Sequence, residues 1–118
     1  MRLTTQIGEF EMDEVILDLG SEVNVLTMQT WEQMGSPKLA RSPIYLQLAN
    51  QQRVSPLGQL LQVPVDIDGV RSFADFEVIE IISDSIPYPA LLGIDWAIDN
   101  MVVIDLKKRQ MTFEDNHI

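Results

Sequence analysis

A single, mostly β, largely antiparallel domain with two short helical inserts is the fold class that this sequence predicts. Three observations lead there. The chain has 118 residues, 46% of them apolar and 22% charged, which suits one hydrophobic core and leaves no room for two ordinary lobes. Most apolar residues alternate with polar ones or fall in β-branched runs, the period-two signature of strands. Two stretches, residues 27–34 and 94–100, break that rhythm with helical spacing.

In chain order, residues 3–7 and 15–17 read as strands. The helix over 27–34 carries Met28, Trp31 and Met34 three apart on one side, with Gly35 placed to end it and Pro37 to prevent its resumption. From Ile44 the period returns to two: Ile44, Leu46 and Leu48 alternate with Tyr45 and Gln47. A polar tip, Asn50-Gln51-Gln52-Arg53, precedes a long strand over 57–67, where Pro56 and Pro64 predict an edge or a bend. Asp68-Gly69 supplies the two positive-φ positions of a type I′ hairpin turn and joins 63–67 to 73–78. A loop with Ser83, Asp84, Ser85, Pro87 and Pro89 leads to a short apolar strand, Ala90-Leu91-Leu92, and Gly93. The helix over 94–100 has Asp95 near its start, where negative charge is favourable. Strands 101–104 and 110–113 close the chain across Lys107-Lys108-Arg109, and no fixed-period repeat is visible.

Eight Lys and Arg against eighteen Asp and Glu give a net charge of -10. The acidic residues gather from Glu9 to Glu32 and from Asp75 to Asp115; the middle, with Lys38, Arg41, Arg53 and Arg71 against Asp66 and Asp68, is mildly positive. This balance argues against nucleic-acid partners and against docking on an anionic membrane. With no cysteine, disulfide scaffolds, thiolate metal sites and cysteine nucleophiles are excluded. Residues 1–12 lack the apolar core of a signal peptide, and the run at 78–82 is interrupted by Glu80 and too short to span a bilayer. An intracellular, cytoplasmic setting is the default expectation, and the sequence is consistent either with one domain over 1–118 or with an excerpt of a larger polyprotein.

The most informative segment is Val15-Ile16-Leu17-Asp18-Leu19-Gly20-Ser21, in which a carboxyl group ends an apolar strand and a glycine follows two residues later. Burying an ionised carboxylate costs several kcal/mol unless it is paired or hydrogen-bonded, and Gly20 permits a tight turn and close approach of another chain. Taken alone, the tripeptide reads more simply as a strand-end turn. A second segment changes the balance: Ala90-Leu91-Leu92-Gly93-Ile94-Asp95-Trp96, followed by an apolar strand and Ile104-Asp105-Leu106-Lys107-Lys108.

The two segments in this order, with the hairpin of residues 46–65 between them, resemble the retropepsin-like aspartic proteases over roughly residues 10–114. The similarity extends to the protease segment of plant gypsy-type LTR retrotransposon polyproteins around Tyr45-Leu46-Gln47-Leu48-Ala49-Asn50, Asp75-Phe76-Glu77-Val78-Ile79-Glu80 and Tyr88-Pro89-Ala90-Leu91-Leu92-Gly93-Ile94-Asp95-Trp96. The resemblance implies a retropepsin-like acid protease barrel, closed by antiparallel strands with two short helices, and an aspartic-type endopeptidase without cofactor or metal. Asp18 would be the catalytic residue, Leu19, Gly20 and Ser21 its loop, Leu92 and Gly93 the loop support, and Ala49, Asn50, Gln51 and Gln52 the flap over a polypeptide substrate, the element's own polyprotein. Because the chain offers one suitable Asp-x-Gly, the active site would be completed by homodimerisation, two carboxyl groups sharing a proton around a water.

One position departs from the family pattern: Leu19 stands where retropepsins usually carry Ser or Thr. A hydrogen bond is worth about 0.5–1.5 kcal/mol net, so two symmetric losses amount to roughly 1–3 kcal/mol of bracing. The alternative function is therefore a non-catalytic retropepsin-fold dimer or peptide-binding module. The flap carries no glycine before Gly58 and reads equally as an exposed polar hairpin. Asp66-Ile67-Asp68-Gly69 lacks the remaining ligands of a calcium loop, and His117 lies in the terminal tail, far in sequence from a nucleophile. Trp31 and Trp96 read as core, Lys107-Lys108-Arg109 as a solvated turn, and Asp95 with Asp99 as a solvated helix face.

Overall fold

Side chains that alternate inward and outward along six strands close them into a barrel around one apolar core. In the computed structural model, which describes residues 2–43, 46–47, 53–54, 56–80 and 88–113, the elements in order are β1 (Arg2–Ile7), β2 (Phe10–Leu17), β3 (Asn24–Thr27), α1 (Met28–Gln33), β4 (Leu46–Gln47), β5 (Arg53–Val54), β6 (Gly58–Ile67), β7 (Val70–Ile79), β8 (Ala90–Leu92), α2 (Ile94–Asp99), β9 (Val102–Asp105) and β10 (Gln110–Phe113). The barrel runs β1-β2-β8-β3-β7-β6 and closes between β6 and β1; β4–β5 and β9–β10 are separate two-stranded sheets. No helix is long and apolar enough to cross a membrane.

The β6–β7 hairpin turns at Asp68 (φ 56) and Gly69 (φ 84), as the Asp-Gly pair predicts, and the Asp66 carboxyl accepts the Gly69 N–H at 3.0 Å. That bond makes Asp66-Ile67-Asp68-Gly69 a turn. The helices are shorter than their sequence patterns. Thr27 is the N-cap of α1, its hydroxyl accepting the Thr30 N–H at 3.2 Å, and Met34 is the C-cap.

Three features differ from expectation. A strand, β3, precedes α1 although no separate strand pattern marks residues 24–27. Two barrel seams, β2–β8 and β3–β7, are parallel, while β1–β2, β3–β8, β6–β7 and β1–β6 are antiparallel. Pro64, expected at an edge or bend, lies inside β6 between two neighbours. It is accommodated where the β1 ladder runs out: Ile7 pairs with Val65, and beyond it the Pro64 carbonyl accepts the Gly8 N–H at 2.9 Å. The missing proline N–H thus falls past the end of the ladder. A register shift between Leu60 and Val63 bends the strand nearby, with Gln62 at φ 54 and its N–H donated to the Asp75 carboxyl at 2.7 Å.

The core is formed by Ile7, Val15, Leu26, Val65, Phe76, Val78 and Leu92, each fully excluded from solvent. Trp96 of α2 joins it and meets Phe113 of β10 edge to face, with ring centroids 6.1 Å apart. Its indole N–H donates to the Ser72 hydroxyl at 3.2 Å. Trp31 is only half-buried and packs on the margin of the core, donating to the Pro37 carbonyl at 2.9 Å. Truncating Phe76 removes the largest fully buried side chain. Phe76→Ala is expected to lower unfolding free energy by about 3–5 kcal/mol, measured by urea denaturation.

Candidate active site

β2 ends at Leu17, and the turn that follows places Asp18 on the surface. Its backbone N–H donates to the Leu92 carbonyl at 2.9 Å, which extends the parallel β2–β8 seam (Ile16 with Leu91, Leu17 with Leu92) by one bond. The Ser21 N–H donates to the Asp18 carbonyl at 3.2 Å, closing the turn. The carboxyl Oδ1 accepts the Gly20 N–H at 2.8 Å. One carboxyl oxygen is thereby oriented by the loop itself.

The loop is seated on the turn between β8 and α2. The Ile94 N–H donates to the Ser21 carbonyl at 2.7 Å, and the Ser21 hydroxyl to the Val23 carbonyl at 2.8 Å. A Cβ on Gly93 would lie 2.6 Å from both the Ser21 and the Val23 carbonyl oxygens, so only glycine lets the two backbones meet here. The Gly93 N–H is taken up by the Asn24 side-chain oxygen at 2.8 Å, and the Asn24 amide donates to the Asp75 carbonyl at 3.1 Å. Asp18, Leu19, Gly20 and Ser21 are thus brought together with Leu92 and Gly93. The flap residues Ala49, Asn50, Gln51 and Gln52 lie outside the described residues. The strands flanking them, β4 and β5, pair Leu46 with Val54 and Gln47 with Arg53.

Beside Asp18 lies a second apolar cluster. Val25, Ile79 and Leu91 form it, with Ile16, Val23 and Tyr88 packed against them. These residues alternate in sequence with core residues Leu26, Val78, Leu92 and Leu17, so the pleat puts them on the outer face of the barrel wall. Tyr88 belongs to the site electrostatically as well. Burial, and after it the negative charge of Asp18, hold its phenol above the usual tyrosine value.

Sequence reasoning missed two of these residues. Asn24 begins the unanticipated β3, and its signal was only a polar side chain three residues after Ser21. Tyr88 sits in a run that carries the family resemblance, but nothing local indicates that it packs on the outer cluster. Asp95 and Asp99 are exposed, as expected, and with Glu22 and Asp75 they border an open groove of about 390 Å³ that Asp18 does not line. That groove is an acidic solvated face rather than the site. Leu19 is 47% exposed at the loop tip.

One carboxyl group can orient a water or accept its proton, but it cannot at the same moment donate a proton to the opposite side of a scissile bond. General acid–base chemistry at this loop would therefore need a second acid that the loop does not supply. Gly93→Ala, which forces a methyl group against two backbone oxygens, is expected to cost roughly 1–3 kcal/mol or more, a drop in melting temperature on the order of 10 °C by calorimetry. Gly20→Ala, whose Cβ would meet only the Asp18 carboxyl at 3.2 Å, is expected to shift melting by no more than a few degrees.

No family model and no curated protein matches the chain. Among solved structures, the retroviral protease-like domain of Ddi1 from Leishmania major matches with a TM-score of 0.71 and 20% identity, covering 97% of this chain and 86% of that one. At that identity the likeness concerns the fold, and with the barrel order and the two short helices it shows that this chain has a retropepsin-like fold.

Proposed function

We propose that this chain is one half of an aspartic endopeptidase, its active site completed when a second copy brings its own Asp18 alongside the first. The observation that carries this reading is the Asp18 loop: an exposed carboxyl at a strand end, one oxygen held by Gly20, clamped onto the Gly93 turn and bordered by an apolar cluster. Two such groups a few ångströms apart do not both ionise, so the pair holds one proton between them. The ionised member takes a proton from the bound water, which attacks the peptide carbonyl carbon. The protonated member donates to the carbonyl oxygen, and as the tetrahedral species collapses the first carboxyl group passes the proton taken from water to the nitrogen, which leaves as the amine. Substrate is an extended polypeptide, laid against the outer cluster and gaining strand-type hydrogen bonds. The resemblance of the runs at 45–50, 75–80 and 88–96 to gypsy-type elements suggests such an element's polyprotein as the substrate on this reading.

Features outside the loop suit a second copy. The β9–β10 sheet packs on the core but shares no ladder with the barrel strands. Ile98, Met101, Val103 and Leu106, along the α2–β9 segment and the turn after it, are all exposed, Leu106 by 84%. A closed two-fold pairing covers such residues on both copies at once. The second reading, a dimer that binds peptide without cutting it, is favoured by one observation, the alkyl side chain of Leu19 at the loop tip.

Cleavage of an unstructured protein at pH 4–6, blocked by a statine-type inhibitor, is the expected result for the wild type. Asp18→Asn is expected to lower the rate by about 10²–10⁴-fold while leaving the dimer intact by sedimentation. An inactive wild type that still dimerises would select the second reading, and Leu19→Thr is then expected to restore cleavage. Because each copy carries a net charge of -10, association is expected to tighten with salt and with mild acidification. Weaker association in high salt would contradict the dimer account.

A further inference from the structure

Tyr88 stands next to the candidate catalytic loop with no role in the chemistry described above. Its position is fixed by the residue that follows it. The Pro89 carbonyl accepts three hydrogen bonds, from the Thr27 N–H at 3.2 Å, the Thr27 hydroxyl at 3.4 Å and the Thr30 hydroxyl at 2.9 Å. Both threonines are buried, and their hydroxyls lie 2.8 Å apart. The backbone on which Tyr88 is carried is therefore anchored to the start of α1.

The side chain goes to the outer cluster, half-buried over Val25, Ile79 and Leu91, which are 6%, 1% and 6% exposed. Ile16 shares that cluster, pairs with Leu91 and precedes Asp18 by two residues. Two residues of strand span about 7 Å and point to the same face, so Asp18 follows Ile16 on the face of β2 that carries the cluster on which Tyr88 packs. The influence of the Asp18 charge on the phenol agrees with this placement. A substrate side chain flanking the scissile bond has to enter beside Asp18, where apolar ground is available but already roofed by the Tyr88 ring.

We propose that Tyr88 determines specificity: it covers the apolar cluster on the Asp18 face of the barrel wall, so the site takes a small aliphatic side chain next to the scissile bond and rejects a bulky aromatic one. The proposal rests on the endopeptidase reading and assigns a substrate class to it. The ring works by occupying space, and the phenolic hydroxyl is not needed for the size limit. Truncation therefore changes the preference, whereas removal of the hydroxyl alone preserves it.

The test is calorimetric binding of two statine-type peptides that differ only in the side chain flanking the statine, methyl in one and benzyl in the other. Wild type is expected to prefer the methyl peptide by about tenfold or more, the scale on which a pocket discriminates small apolar differences. Tyr88→Phe is expected to keep that ranking. Tyr88→Ala is expected to abolish or reverse it, and Tyr88→Val, which keeps Val25 and Leu91 covered, to move it in the same direction. Each variant is first shown to keep the wild-type fold by circular dichroism, so that the ranking reports on the site and not on a loss of structure. An unchanged ranking in both truncations, or a wild type that prefers the benzyl peptide, overturns the proposal and leaves the endopeptidase reading standing. A wild type that binds neither peptide overturns both.

Discussion

The seating of the Asp18 loop on the Gly93 turn is the contact on which the rest of the site depends. Two chain segments more than seventy residues apart in sequence meet there backbone to backbone, because Gly93 has no side chain to hold them apart. The bonds from Asp18 to Leu92, Ile94 to Ser21 and Gly93 to Asn24 then leave few backbone groups of the loop without partners. Unpaired backbone groups at such a junction would each cost about as much as a lost hydrogen bond. The parallel β2–β8 seam and the antiparallel β3–β8 seam flank this contact on either side. The barrel is in that sense a frame that delivers one carboxyl group to the surface in a fixed orientation.

On the proposed reading, a single oriented carboxyl group is half of an acid–base device. The inner face of the wall formed by β2, β8, β3 and β7 holds the core, while the outer face offers a small apolar cluster beside Asp18. Pleating alone produces both faces from the same strands. The hydroxyls of Thr27 and Thr30 tie the segment bearing Tyr88 to the first helix, so both borders of the outer cluster are attached to elements with roots in the core. On the proposed reading, fixed geometry of this kind would let two identical halves form one site, because a small misplacement of either carboxyl group lowers a rate steeply.

Local features of the fold were legible in the sequence. The Asp68-Gly69 turn, the two helices, the strand-end position of Asp18 and the glycine behind Leu92 all follow from conformational preferences that act over a few residues. The parallel seams did not show themselves, because no short-range pattern distinguishes a parallel neighbour from an antiparallel one across such separations. β3 was hidden because its four residues run directly into the helix and its last residue serves as the helix cap. Pro64 misled for a related reason: the cost of a proline depends on whether its missing N–H faces a ladder bond, and that is settled by where β1 ends. In the site, Asp18 and Gly93 were singled out through the family resemblance, since local chemistry alone reads Asp18 as a strand-end turn, whereas Asn24 and Tyr88 became visible only when the fold placed their side chains.

The absence of cysteine from this chain allows the central claim, that two copies set their Asp18 loops face to face, to be tested by a single introduced thiol. Leu19→Cys places that thiol at the exposed loop tip, and a disulfide requires the two Cα atoms to come within about 4.4–6.8 Å. Mild oxidation at micromolar concentration is expected to convert the variant to a covalent dimer, while Phe10→Cys, exposed elsewhere on the barrel, stays monomeric under the same conditions. A Leu19→Cys protein that remains monomeric, or that cross-links no faster than the Phe10→Cys control, would contradict the account.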